Sequence, residues 1–178
     1  MKKEDFILKR FFFTAINKSI EEQDIILSDA VKFYLLNIFL SENKHIPDYY
    51  ETFAEIYLDA IGESDKRRKI SLFKTIGDLS LIKTGIFPSR TYGTIRDTYY
   101  KDLGAMSYGE VFSYSKNALF GDLSINYDTC VDAIHGVMIA PFDGNLLSLL
   151  EFYKKTESKA AKLKLIKLGY IDMNRVSE

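Results

Sequence analysis

Three prolines in 178 residues, Pro47, Pro88 and Pro141, set the strongest limit on what this chain folds into. Proline breaks helix interiors and collects in connections, and each of the three sits where a connection is expected. The long stretches between them are free to be helical. Strand signals are poor by comparison. No Asn-Gly or Asp-Gly turn lies between two alternating segments, and Asp143-Gly144 is the one dipeptide that raises the question. The expectation is an all-α, single-domain bundle of roughly six to eight helices over residues 1–178, with 1–20 as a possible peripheral helix and 170–178 as a short tail.

The helix boundaries follow from capping residues and apolar spacing. Residues 4–19 carry Phe6, Leu8, Phe11, Phe12, Ile16 and Ile20 in a broad stripe whose period is blurred by Phe11-Phe12-Phe13, with a strand as the alternative reading. Ser28 caps a helix running from Ala30 to about Asn43, apolar nearly all round and so central. Asp48 and Glu51 have capping-box spacing before a helix with Phe53, Ile56, Tyr57, Ala60 and Ile61 on one face, stopped by Gly62. Ser64 is placed as the cap of the next, with Ile70, Phe73, Ile76, Leu79 and Leu81 inward and Gly85 at its end. Thr94 opens a long helix toward Lys116, with Tyr99, Leu103, Met106 and Phe112 on one face. Gly104 and Gly109 inside it each cost about 1 kcal/mol relative to Ala unless another backbone or ring packs close, and a break at Gly104 is the competing reading. Residues 118–140 are the hardest to read, with Asp128-Thr129 as a cap. Residues 145–155 and 158–168 form a closing pair ended by Gly169.

Composition narrows the functional classes. Hydrophobic residues at 47% and charged residues at 28% describe a globular chain, and a formal charge of −1 favours neither nucleic acid nor a membrane surface. The single cysteine, Cys130, excludes an intramolecular disulfide. The apolar run 33–40 is far shorter than the roughly 20 residues of a spanning helix. Lys9, Arg10 and Asn17 interrupt any leader-like stretch. A cytoplasmic setting without membrane insertion is the expectation.

Catalytic signatures are absent. Glu42 stands three residues before His45, but His135 has Asp132 in that place, so the repeated Glu-x-x-His pair of a di-iron bundle is absent. Cys130 and His135 are five apart, a spacing that points their side chains away from each other on one helix. No nucleophile elbow, dinucleotide fingerprint or phosphate loop occurs. Neither metal nor cofactor is expected. Asp78 on a largely apolar helix needs a partner, for which Arg90 or Arg96 qualifies. The stretch Phe87 to Tyr100 gathers Arg90, Arg96, Tyr99 and Tyr100 around an anticipated helix N-terminus, where free amides attract an anion. With Tyr108 one continuation further, these residues form the candidate ligand site. The C-terminal lysines, among them Lys154, Lys155, Lys159, Lys162, Lys164 and Lys167, read as a solvated face, with nucleic acid as the disfavoured partner.

Several pieces of the chain resemble a family of small helical bacterial proteins without an assigned activity. They are Phe33-Tyr34-Leu35-Leu36-Asn37, Gly77-Asp78-Leu79-Ser80-Leu81, Thr84-Gly85-Ile86-Phe87-Pro88, Tyr99-Tyr100, Leu103-Gly104-Ala105-Met106-Ser107-Tyr108 and Leu168-Gly169. Ile86 departs from the Phe more usual in that loop, and residues 121–140 match poorly. The resemblance implies a shared helical fold and a cytoplasmic setting. The leading functional expectation is a non-enzymatic module that binds a protein partner or a second copy of itself through exposed aromatic and aliphatic surface. The rival is a small-molecule or anion pocket around residues 78–108.

Overall fold

A computed structural model describes residues 3–41, 53–88 and 97–171. Among the described residues there are nine α-helices and no strand. They are α1 (Lys3–Gln23), α2 (Asp29–Ser41), α3 (Phe53–Gly62), α4 (Lys66–Leu81), α5 (Asp97–Ser115), α6 (Ala118–Ile125), α7 (Tyr127–Met138), α8 (Leu146–Thr156) and α9 (Lys159–Lys167). The all-α class is as the sequence leads one to expect. The count exceeds eight because the stretch that was hardest to read holds two helices, α6 and α7, parted at Asn126.

Local chemistry explains most of the boundaries. Ser28 Oγ accepts from the Val31 amide at 3.4 Å and opens α2. Ser158 caps α9 through the Ala161 amide. α4 is capped by Asp65, whose carboxylate takes the Arg68 amide at 2.8 Å, and not by the neighbouring Ser64. Thr94 and the Asp48–Glu51 box fall outside the described residues.

Gly85 does not end α4. The backbone widens there into a π turn over Ile82–Ile86, with the Phe87 amide bonded to the Ile82 carbonyl at 3.0 Å. A Cβ at Gly85 would meet Ile134 Cγ2 at 2.9 Å, so this glycine permits close approach of α7.

α5 runs unbroken through Gly104 and Gly109. Its buried face is Leu103, Ser107, Tyr108 and Val111, whereas Tyr99, Met106 and Phe112 are exposed. Of the four residues grouped on one face, only Leu103 is buried. Small residues, Gly104 and Ser107, face inward here beside Leu103, Tyr108 and Val111. The Tyr127 ring occupies the space a Gly104 side chain would need, and the Tyr108 ring does the same at Gly77. Reading only large apolar residues as inward misses a surface built to receive its neighbours' rings.

The main core gathers α1, α2, α4, α5 and α7 around Ile16, Leu35, Ile76, Leu81, Tyr108 and Ile134. α7 lies at its centre. A second, smaller core of Ile139, Leu149, Ala160, Ala161 and Leu165 joins α8 and α9 to the end of α7. α9 also lies against α1, and a channel runs between those two helices.

Candidate functional site

The residues singled out in the sequence divide into separate groups. Asp78, on the last turns of α4, meets Tyr108 of α5. Its Oδ1 accepts from Tyr108 Oη at 2.9 Å and from Tyr34 Oη of α2, and its Oδ2 accepts from Lys74 Nζ one turn earlier. Lys74 also lies over the Tyr34 ring, 5.3 Å from its centroid. Burial, reinforced by the Asp78 charge, holds both phenols far above the usual tyrosine range, so both remain proton donors. Asp78 thus joins three helices by accepting three hydrogen bonds.

Tyr99 and Tyr100 lie eight or nine residues before Tyr108, about 12–14 Å along α5. Tyr100 packs its ring on Phe53 of α3 at 5.1 Å between centroids and carries Lys83 Nζ over its face at 4.5 Å. Tyr99 is 41% exposed and touches the Tyr100 ring edge-on. Arg90 and Arg96 lie outside the described residues.

His135 is buried, and its Nε2 lies 2.9 Å from the Thr84 carbonyl of the π turn. A carbonyl only accepts, so that nitrogen carries the proton. Cys130 is fully buried, and burial alone pushes its thiol up to about 12, which keeps it protonated and unreactive. No group of three or more His, Cys, Asp or Glu among the described residues is placed to hold a metal ion. No described helix is long and apolar enough to cross a membrane.

The concavity most suited to binding lies elsewhere. A groove of about 900 Å³ runs between α1 and α9, with the end of α7 as its floor. Small residues (Ala15, Gly136, Ala140 and Ala160) keep the floor low, and Leu163 lines its α9 wall. Its rim carries large apolar side chains left to water: Phe6 is 55% exposed, Ile7 59%, Phe11 61% and Leu168 54%.

Four cations also line it: Arg10, Lys18, Lys164 and Lys167. Lys18 pairs loosely with Glu22 at 3.8 Å, and Lys164 pairs with Asp143, whose carboxyl is held below its usual range by that contact. Arg10 and Lys167 make no ion pair among the described residues.

The floor is fixed by a polar clasp between α1 and α7. Ser19 Oγ donates to the Ala133 carbonyl at 2.7 Å, while Gln23 Nε2 donates to the Asp132 carbonyl at 3.0 Å. Gly136 lets Ser19 and Gln23 come this close, since a Cβ there would collide with Ser19 Oγ.

The sequence reading missed this groove, yet a signal for it was present. The blurred period of α1 arises because the helix is apolar on two faces. Phe12 and Phe13 turn inward and stack on Phe39 and Phe33 of α2, at 4.9 and 5.5 Å between centroids. Phe6 and Phe11, counted with the inward stripe, point into the groove. No protein-family model, curated protein or solved structure matches the chain, so functional argument rests on this geometry.

Proposed function

We propose that the protein is a helical interaction module that docks the apolar face of a partner helix in the groove between α1 and α9. One observation carries this reading: Phe6, Ile7, Phe11 and Leu168, all more than half exposed, converge on a single concavity. A small-molecule pocket buries the side chains that line it. Large apolar side chains half in water around an open channel instead suit a convex macromolecular surface.

The dimensions agree. The lining residues of α1 run from Phe6 to Gln23, which is about 26 Å of helix. A groove of that length takes one apolar face of a helix lying along it. Completing the burial of the four half-exposed residues contributes about 3–6 kcal/mol, no more than the roughly 4–15 kcal/mol that association costs. Apolar contact alone leaves binding weak, so the charged rim takes part.

The test uses a synthetic helical peptide with leucines at i, i+3, i+4 and i+7 and glutamates beside them. It should displace anilinonaphthalene sulfonate from the folded protein, and Phe11→Glu should weaken its binding about tenfold or more with the circular dichroism spectrum unchanged. Peptide affinity indifferent to Phe11→Glu would remove the groove from the argument.

A further inference from the structure

A helix that packs one apolar face inward should present polar residues outward. α3 does not. Ile56 and Ala60 are buried, facing α4, yet Ala54, Leu58 and Ile61 form a second apolar row at i, i+4 and i+7 that is open to water. Leu58 is 67% exposed and Ile61 54%, although the sequence pattern groups Ile61 on one face with Ile56 and Ala60. Beside that row stand two acidic residues one turn apart, Glu55 and Asp59, both exposed. Asp59 makes no ion pair among the described residues.

This surface is the complement of the groove in both respects. The groove is an apolar channel that carries two cations without an ion pair among the described residues, Arg10 and Lys167, besides the pairs Lys18–Glu22 and Lys164–Asp143, and α3 is an apolar ridge beside two carboxylates. The two surfaces are not neighbours on one molecule, because α3 rests on α4 whereas the groove lies between α1 and α9.

We infer, on the basis of the groove reading above, that the groove of one molecule takes α3 of a second copy, with Leu58 and Ile61 entering beside Phe11 and Leu168 and with Asp59 meeting Arg10 or Lys167. The contact is heterologous: the surface used on one copy differs from the surface used on the next. Such a contact leaves a free ridge and a free groove at the ends, so it builds rings or open chains and not a closed two-fold dimer. The charges set register and orientation, and raised salt weakens the contact by screening them.

The experiment is sedimentation velocity of the full chain across a wide protein concentration range, with two variants that each spoil one surface. Leu58→Ser/Ile61→Ser alters the ridge and keeps the groove, and its retained Asp59 is repelled by the reversed groove of the other variant. Arg10→Glu/Lys167→Glu alters the groove and keeps the ridge. Both change exposed positions, and thermal melts confirm that each variant folds.

The wild-type protein is expected to form a growing series of species. Each variant alone should be monomeric over the same range, with its dissociation constant raised about tenfold or more. An equimolar mixture of the two should form a 1:1 dimer and stop there, since one intact ridge meets one intact groove. A wild-type protein monomeric throughout, a variant that associates like wild type, or a mixture that stays monomeric each overturns the inference. If the wild type stays monomeric while the glutamate peptide still displaces the dye, self-association falls and the docking function stands. If the peptide fails as well, both fall.

Discussion

At the scale of single residues, Asp78 shows how a carboxylate marked in the sequence acquires its role from distant partners. Tyr34 is 44 residues before it and Tyr108 is 30 after it. Asp78→Ala leaves two largely buried hydroxyls without their acceptor, at about 1–3 kcal/mol for each. Asp78→Asn retains one carbonyl oxygen able to accept both, and should cost distinctly less. Urea unfolding of the two variants checks this. Equal losses would show that the charge, and not the acceptor, matters. The sequence made Asp78 legible because a carboxylate among apolar neighbours demands a partner, but it pointed to arginines further along the chain. Tyrosine spacing across separate helices carries no local signal, so a phenol pair converging on one oxygen is invisible before folding. Gly136 was illegible for the same reason. In the sequence it is only a poor helix former, and its purpose is set by Ser19, on a helix 117 residues earlier in the chain.

At the scale of elements, α1, whose period is blurred in the sequence, and α3, whose pattern reads as a single face, both have two apolar faces. Capping residues and proline placement located most helix bodies well, because those signals are local. Which face turns inward is decided by tertiary packing, and there the period misled for Phe6, Phe11 and Ile61. The two faces of α1 should separate energetically. Ile16 is fully buried against the core, and Ile16→Ala should cost about 2–5 kcal/mol. Phe11→Ser removes a larger side chain from the groove rim and should change stability by no more than about 0.5 kcal/mol. Chemical denaturation of the two variants gives the comparison. A large loss in Phe11→Ser would mean that its ring supports the monomer and is not held out for a partner.

At the scale of the whole molecule, the aromatic-rich interior makes stability depend on alkaline pH. The phenols of Tyr34, Tyr108 and Tyr127 are all raised above their usual range, chiefly by burial. Their unfolded counterparts titrate near about 10. Below that value both states hold the proton and these groups impose no slope. Above it the unfolded chain releases protons that the folded one retains, so stability falls as pH rises toward the folded values. Each tyrosine contributes a slope of up to about 1.4 kcal/mol per pH unit, and three together reach about 4 kcal/mol per unit. Against a total stability of roughly 5–15 kcal/mol, helix content should collapse cooperatively within about 1–4 units above pH 10. A cooperative rise in tyrosinate absorbance should coincide with loss of the far-ultraviolet helix signal. Tyr34→Phe removes one of the three protons, and the dependence of its stability on pH should be about a third shallower. Smooth ionisation of every tyrosine with the helices still formed would show that these phenols reach water in the native state, and the Asp78 junction of α2, α4 and α5 would then not be closed.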